Sequence, residues 1–397
     1  MKKFDLLHTP EGVRDIYNEE CEKKHNLMNR LTSLIYSYGY HPIETPTFEF
    51  SELFGEQTGS VASNDLYRFF DRNGNTLALR PDFTPSVVRC AAKYYSGNAF
   101  PVKFCYWGKS FINYHSLQGR LNESTQMGVE YIGDGSVDAD AEMLDLVVNN
   151  LKEAGLKEFQ ICVGYSGIFA NLVNATGLND EDAEELKKLI FNKNFYGAWD
   201  FVKERCADER LIKCFEMLGN IYKTKEELIA LSNAAEGFDE LKKCFDYFIE
   251  LKSLIEIYGI SDYIAFEPGV IGNYDYYTGI IFGAYTFGSG EQIVKGGRYN
   301  KLMSHFGSDK PAIGFVIEID QLLSALERQN ISLLGNEPVK LIIYSASKRK
   351  EAIEMAKKLR SEGKMAALMP YNESLSKEDH LEHAKAMKAS EVFELTE

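Results

Sequence analysis

The sequence predicts an α+β protein in which a sheet flanked by helices is interrupted by a helical insertion and followed by a small α/β unit. Three observations predict it. Strand-like stretches with turn residues between them fill the first 165 or so positions and return after residue 279. The segment from about Asn179 to Tyr258 is rich in Lys, Glu and Leu at helical spacing and has few strand signals. From Lys340 onward, strand, helix and strand signals alternate over some 30 residues. The expected organisation is a core over residues 1–330, with the insertion at about 179–258, and a small C-terminal α/β domain over 338–397.

Each element follows from a local pattern. Residues Glu19 to Tyr38 place Leu27, Leu31, Leu34 and Ile35 on one helical face, and Gly39 stands where a helix C-terminal glycine belongs. Leu66–Phe70 and Thr76–Arg80 flank Asn73-Gly74, a hairpin signal. A helix begins near Thr84, with Pro85 tolerated in its first turn. Strands are expected at Phe104–Phe111, Gln126–Ile132, Phe159–Val163, Ile280–Phe287, Gln292–Lys295 and Ala312–Ile319, and a helix at Ala139–Ala154. A linker at Ile331–Pro338 precedes a strand at Lys340–Tyr344, a helix at Lys348–Gly363 and a strand at Met365–Met369.

Composition narrows the function classes. No apolar run approaches the ~20 residues of a membrane span, and the start Met1-Lys2-Lys3-Phe4-Asp5 lacks a signal-peptide core. Seven cysteines are scattered singly with no Cys-x-x-Cys pair, which suits buried thiols in a reducing, cytoplasmic setting and no disulfide or zinc framework. The net charge of −15 repels a phosphate backbone on average and speaks against tRNA as a partner. Phosphate-loop, dinucleotide, nucleophile-elbow and zinc-protease motifs are missing, so no cofactor or metal is expected. His380 and His383 share a helix face, read as a solvated surface before a metal site.

Five stretches carry the chemistry: Thr9-Pro10-Glu11-Gly12-Val13-Arg14-Asp15, Leu79-Arg80-Pro81-Asp82-Phe83-Thr84-Pro85, Gln126-Met127-Gly128-Val129-Glu130, Asp275-Tyr276-Tyr277-Thr278-Gly279 and Gly296-Gly297-Arg298-Tyr299. In this order and spacing they resemble the core of histidyl-tRNA synthetases, from about Thr9 to Gln329. The resemblance implies a class II aminoacyl-tRNA synthetase fold built on an antiparallel sheet. It also implies a histidine pocket lined by Asp82, Thr84, Gln126, Glu130, Tyr276, Tyr277 and Tyr299. The residue types suit that ligand: a buried acid such as Glu130 accepts from an imidazole N–H, Asp82 pairs with an α-ammonium, and tyrosines give apolar walls with polar tips. Synthetases generally have glutamate where this chain has Asp82, one methylene shorter.

The departures from the synthetase pattern concern ATP. Class II activation grips the phosphates with arginine forks, whose planar guanidinium matches phosphate oxygens. The arginine of the motif 2 strand falls at Ile112, the motif 3 arginine at Gln321, and a further one before the Asp-Tyr-Tyr stretch at Gly272; only Arg120, in the motif 2 loop, is kept. A charge-assisted hydrogen bond contributes about 1.5–3 kcal/mol. Three additive losses would therefore cost roughly three to six powers of ten in rate.

A synthetase-like core without adenylation arginines, followed by a curtailed C-terminal module, resembles the regulatory subunits of ATP phosphoribosyltransferase. That likeness implies no catalytic residues in this chain and a role in the first step of histidine biosynthesis. Its partners would be a short-form catalytic subunit, with L-histidine as feedback effector, in a hetero-oligomer. The motif 1 region, about Gly39 to Glu52, would pair two copies into a homodimer core. An active histidyl-tRNA synthetase and an RNA-binding relative that senses uncharged tRNA are the alternatives.

Overall fold

The computed structural model describes residues 7–55, 58, 61–114, 120–270, 277–333 and 338–396. It divides into two compact units, Met1–Asp15 with Leu27–Ser332, and Ile16–Asn26 with Leu333–Glu397. Helix α1 (Asn18–Ser37) buries Leu27, Leu31 and Ile35, a strict four-residue spacing, and stops at Gly39, which takes the left-handed φ of 81°.

Next come β1 (His41–Pro42), β2 (Phe48–Phe50), β3 (Arg68–Phe70) and β4 (Thr76–Leu79). The last three make a small antiparallel sheet, ordered β2-β4-β3. Its hairpin turn is fastened by Asp71, whose carboxylate accepts from the backbone N–H of Asn73 and Asn75. Ala78 on its back packs with Phe54 and Leu66. On its front, Phe48, Phe50 and Phe69, in register with Leu79 and Leu77, stand exposed.

Helix α2 (Thr84–Tyr95) is followed by the long strands β5 (Val102–Phe111) and β6 (Glu123–Ile132), helix α3 (Val137–Ala154) and β7 (Phe159–Tyr165). The helical region is α4 (Gly167–Thr176), α5 (Asp180–Phe191), α6 (Phe195–Arg205), α7 (Glu209–Met217), α8 (Lys225–Ala234) and α9 (Asp239–Tyr258). It thus starts a helix earlier than the Lys/Glu/Leu pattern indicates, because α4 is apolar and follows its strand directly. Then come β8 (Ile264–Phe266), β9 (Ile280–Thr286), β10 (Val294–Arg298), α10 (Asn300–Ser304), β11 (Ala312–Glu318) and α11 (Ile319–Arg328). Eight strands form one sheet, β1-β5-β6-β11-β10-β9-β7-β8, antiparallel throughout its six central members and parallel only at the two edges. A cluster including Phe83, Val87, Phe104, Tyr106, Tyr299 and Leu302 seals α2 and α10 to this sheet.

The second unit contains β12 (Lys340–Tyr344), α12 (Arg349–Ser361), β13 (Ala366–Pro370), α13 (Lys377–Ala386) and β14 (Glu391–Leu395), a parallel sheet ordered β13-β12-β14. The last helix and strand extend the expected strand–helix–strand unit. Their signal is weak because α13 buries only His380 and Ala384, and because β14 carries two glutamates. His380 corrects the expectation of a solvated face. It is 4% exposed, its ring stacks on Tyr371 at 4.4 Å, and its Nε2 accepts from the Asn372 N–H at 3.0 Å. It is a core histidine, whereas His383 lies on the exposed side. Among the described residues no helix is long and apolar enough to cross a membrane, and no group of side chains is arranged to hold a metal.

Candidate functional site

Strand alternation places Gln126, Gly128 and Glu130 on one face of β6. The register then sets a large side chain against a glycine twice. Gly314 of β11 lies opposite Glu130, and Gly128 lies opposite Tyr106 of β5. A Cβ on Gly314 would come 1.9 Å from Glu130 Oε2, and one on Gly128 would come 2.5 Å from the Tyr106 hydroxyl oxygen. The missing side chains are the space that the floor of the site occupies.

Glu130 is 1% exposed and is surrounded by hydroxyls. Thr84, at the start of α2, donates to Oε1 at 2.8 Å, Tyr106 donates to the same oxygen at 3.2 Å, and Tyr299 donates to Oε2. Burial pushes the carboxyl up to about 8 even so; the three donors act downward and Asp82 adds repulsion. Asp82 lies just before α2. Both of its oxygens are buried and meet no hydrogen-bond partner among the described residues. Burial raises its carboxyl to about 7; the Thr84 N–H pulls it down electrostatically without reaching hydrogen-bond geometry. Gln126 donates to Glu318 at 3.2 Å while its own buried Oε1 has no partner among the described residues.

These groups line one cavity of about 650 Å³. Of the residues singled out in the sequence, Asp82, Thr84, Gln126, Glu130, Tyr277 and Tyr299 all face it, and so do Ile112, Arg120 and Gln321. Tyr276 and Gly272 lie outside the described residues. The course of β6 gives the cavity two ends, because Glu130 lies near the last residue of that strand whereas Ile112 bonds to Asn122 just before its first. One holds Glu130, Asp82 and the tyrosines. The other is lined by Ile112, Tyr114, Arg120, Glu291, Lys295 and Gln321.

Three cations that line the cavity are already engaged. Arg120 donates through Nε to Glu291 at 2.8 Å, Lys295 lies 3.7 Å from Glu318, and Arg328 donates to the Gly288 carbonyl at 2.6 Å. Asp65, Glu318 and Asp320 add negative charge to the wall. Sequence reasoning missed Tyr106, Glu291 and Glu318 as parts of the site. Tyr106 and Glu318 could have been found from the alternation of β5 and β11, but only once the register was known. Glu291 carries no local signal, because its partner is 171 residues away.

A profile of the family described as histidyl-tRNA synthetase matches residues 12–322. A protein of Caldanaerobacter subterraneus subsp. tengcongensis named ATP phosphoribosyltransferase regulatory subunit is 35% identical over 92% of this chain and 95% of its own. One of the same name from Ruminiclostridium cellulolyticum is 34% identical over 90% and 85%. The chain belongs to the ATP phosphoribosyltransferase regulatory subunits, within the histidyl-tRNA synthetase family. A crystal structure of an ATP phosphoribosyltransferase regulatory subunit/histidyl-tRNA synthetase from Bacillus halodurans superposes with a TM-score of 0.86 at 30% identity, covering the whole of both chains. The likeness to that regulatory subunit thus includes the C-terminal unit.

The glycine floor gives a direct check of this geometry in the regulatory-subunit scaffold. Gly314→Ala would press its methyl into Glu130 and the Val129 carbonyl. It is expected to destabilise the fold by about 1–3 kcal/mol, read from chemical denaturation. A neutral result would mean that the carboxylate does not sit in the space that Gly314 vacates.

Proposed function

We propose that this chain is the non-catalytic regulatory subunit of ATP phosphoribosyltransferase, joining a short-form catalytic subunit for the first step of histidine biosynthesis and binding L-histidine as the feedback effector. The observation that carries the reading is the contrast between the two ends of the cavity. At one end, Asp82 presents two buried carboxylate oxygens without a partner among the described residues, fit for an α-ammonium, and Glu130 has lone-pair capacity left for an imidazole N–H. At the other, Ile112 and Gln321 stand in the wall, and Arg120 and Lys295 are held by carboxylates. A triphosphate there would meet acidic side chains and cations already in use. Adenylation is disfavoured and amino-acid binding is retained.

Histidine bound in this way can inhibit only by favouring one state of the hetero-oligomer over another, a coupling typically of ~1–3 kcal/mol. The homodimer core is supported by the bare face of the small sheet, where Phe48, Phe50 and Phe69 are 51%, 57% and 37% exposed beside Leu77 and Leu79. Introducing charge there, as in Phe50→Asp, is expected to shift the protein from dimer to monomer in light scattering with the fold intact. A dimer that persists would place the interface elsewhere.

The central test mixes the protein with its cognate short-form catalytic subunit. A larger complex, raised turnover and suppression by L-histidine are expected, with no histidine-dependent ATP–pyrophosphate exchange by the chain alone. Robust exchange, or no complex at all, would overturn the proposal.

Proton linkage gives a separate check. Both Asp82 and Glu130 are raised in the empty pocket, so their protonated forms favour the fold. That contribution is fully present below the ordinary carboxyl range and is lost as pH rises toward about 8. A ligand that needs the carboxylates ionised must displace their protons. Its affinity is expected to climb between pH 6 and 8, by up to about tenfold per unit for each group, and calorimetry in buffers of different ionisation enthalpy should record proton release. A flat profile would remove the carboxylates from the ligand's contacts.

A further inference from the structure

Behind the pocket, across β10 from its tyrosines, lies a buried charge cluster that amino-acid binding leaves unused. Arg298, 5% exposed, donates through Nε at 2.9 Å and also through Nη2 to Oδ1 of Asp140, a fully buried residue of α3. Its Nη1 donates to the Asp134 carbonyl at 2.9 Å. The other Asp140 oxygen accepts from the hydroxyl of Tyr247 on α9, the longest helix of the insertion. Tyr247 itself packs its ring on Tyr165 at 5.4 Å.

The same arginine organises the backbone on which two pocket tyrosines are mounted. Its carbonyl accepts from the Thr278 N–H at 2.8 Å, next to Tyr277. The Thr278 hydroxyl accepts from the Asn300 N–H at 2.9 Å, next to Tyr299. Its aliphatic stem lies under Gly279, where a Cβ would come 2.9 Å from Arg298 Cδ. Tyr299 in turn donates to Glu130. A chain of directed contacts therefore runs from α9 through Asp140 and Arg298 to both faces of the ligand site.

We infer that Tyr247 and Arg298 are positioning residues for the pocket: through Asp140 they let the helical insertion fix Tyr277 and Tyr299 against Glu130. Occupancy of the pocket is felt in α9 in return, since coupling between two sites is reciprocal. The physical basis is the demand of a buried carboxylate. With Tyr247 on one oxygen and Arg298 on the other, Asp140 has one orientation; without the hydroxyl it turns toward the guanidinium and carries Arg298 with it. A cluster serving only to attach the insertion would leave the Thr278 and Asn300 amides untouched.

The test uses Tyr247→Phe in the full chain, with Tyr196→Phe, an exposed tyrosine of the same insertion, as control. In the ligand-free protein, hydrogen exchange at the Thr278 and Asn300 amides is expected to quicken roughly tenfold, the equivalent of one lost hydrogen bond, with the control unchanged. Unchanged exchange at those amides, or equal quickening over the whole chain, would overturn the inference. Should Tyr247→Phe fail to fold, Asp140→Asn is read at the same two amides. The ligand arm rests on the histidine reading above: Tyr247→Phe should bind L-histidine about tenfold more weakly, and histidine should slow exchange in α9 of the wild type. A wild type that binds no histidine overturns that reading, while the ligand-free exchange still decides this one.

Discussion

A single buried carboxylate organises the site, and much of the sheet around it follows from what that carboxylate needs. Glu130 has almost no access to water, so three hydroxyls must supply what solvent does not. They come from the start of α2, from β5 and from the end of β10, three segments distant in sequence. Bringing them together fixes the register β5-β6-β11 and requires glycine at 314 and 128, where the carboxylate and the Tyr106 ring take up the room. A slip of one residue in any of these strands would turn a hydroxyl or the acid to the wrong face of the sheet.

The cavity changes its electrical character along its length. The end with Asp82 and Glu130 has acceptors that are unsatisfied among the described residues, a setting suited to a cationic group. The opposite end has balanced its cations internally, through pairs such as Arg120 with Glu291. Both members of that pair are substantially exposed, so its contribution to stability is small; its consequence is the negative charge that Glu291 sets beside the guanidinium. On the proposed reading, recognition and phosphate chemistry lie at separate places in one cavity, so one can be lost without the other.

Much of this was legible in the sequence. The helix from about Glu19, the hairpin turn at Asn73-Gly74, the long strands and the stretches around Asp82, Gln126 and Glu130 announce themselves through periodicity and local residue chemistry, and Asp82, Gln126 and Glu130 line one cavity. What stayed hidden depended on pairings across the chain. Tyr106 reads as one aromatic among many until the register puts it opposite Gly128. Glu291 acquires a role only beside Arg120. Helix α13 gave little signal because it buries only two residues, and one of them, His380, is polar and looks suited to solvent. Its ring nitrogens are both occupied by the backbone, which composition alone does not reveal.

The two bare oxygens of Asp82 have a consequence for the lifetime of the protein. A buried acceptor left without a donor is a standing deficit in the folded state, and whatever molecule fills it removes the deficit for the native chain and not for the unfolded one. Resistance to unfolding, and with it to proteolysis, therefore rises with the supply of that molecule. A ligand of the proposed kind would then act twice, once through conformation and once through how much intact subunit persists.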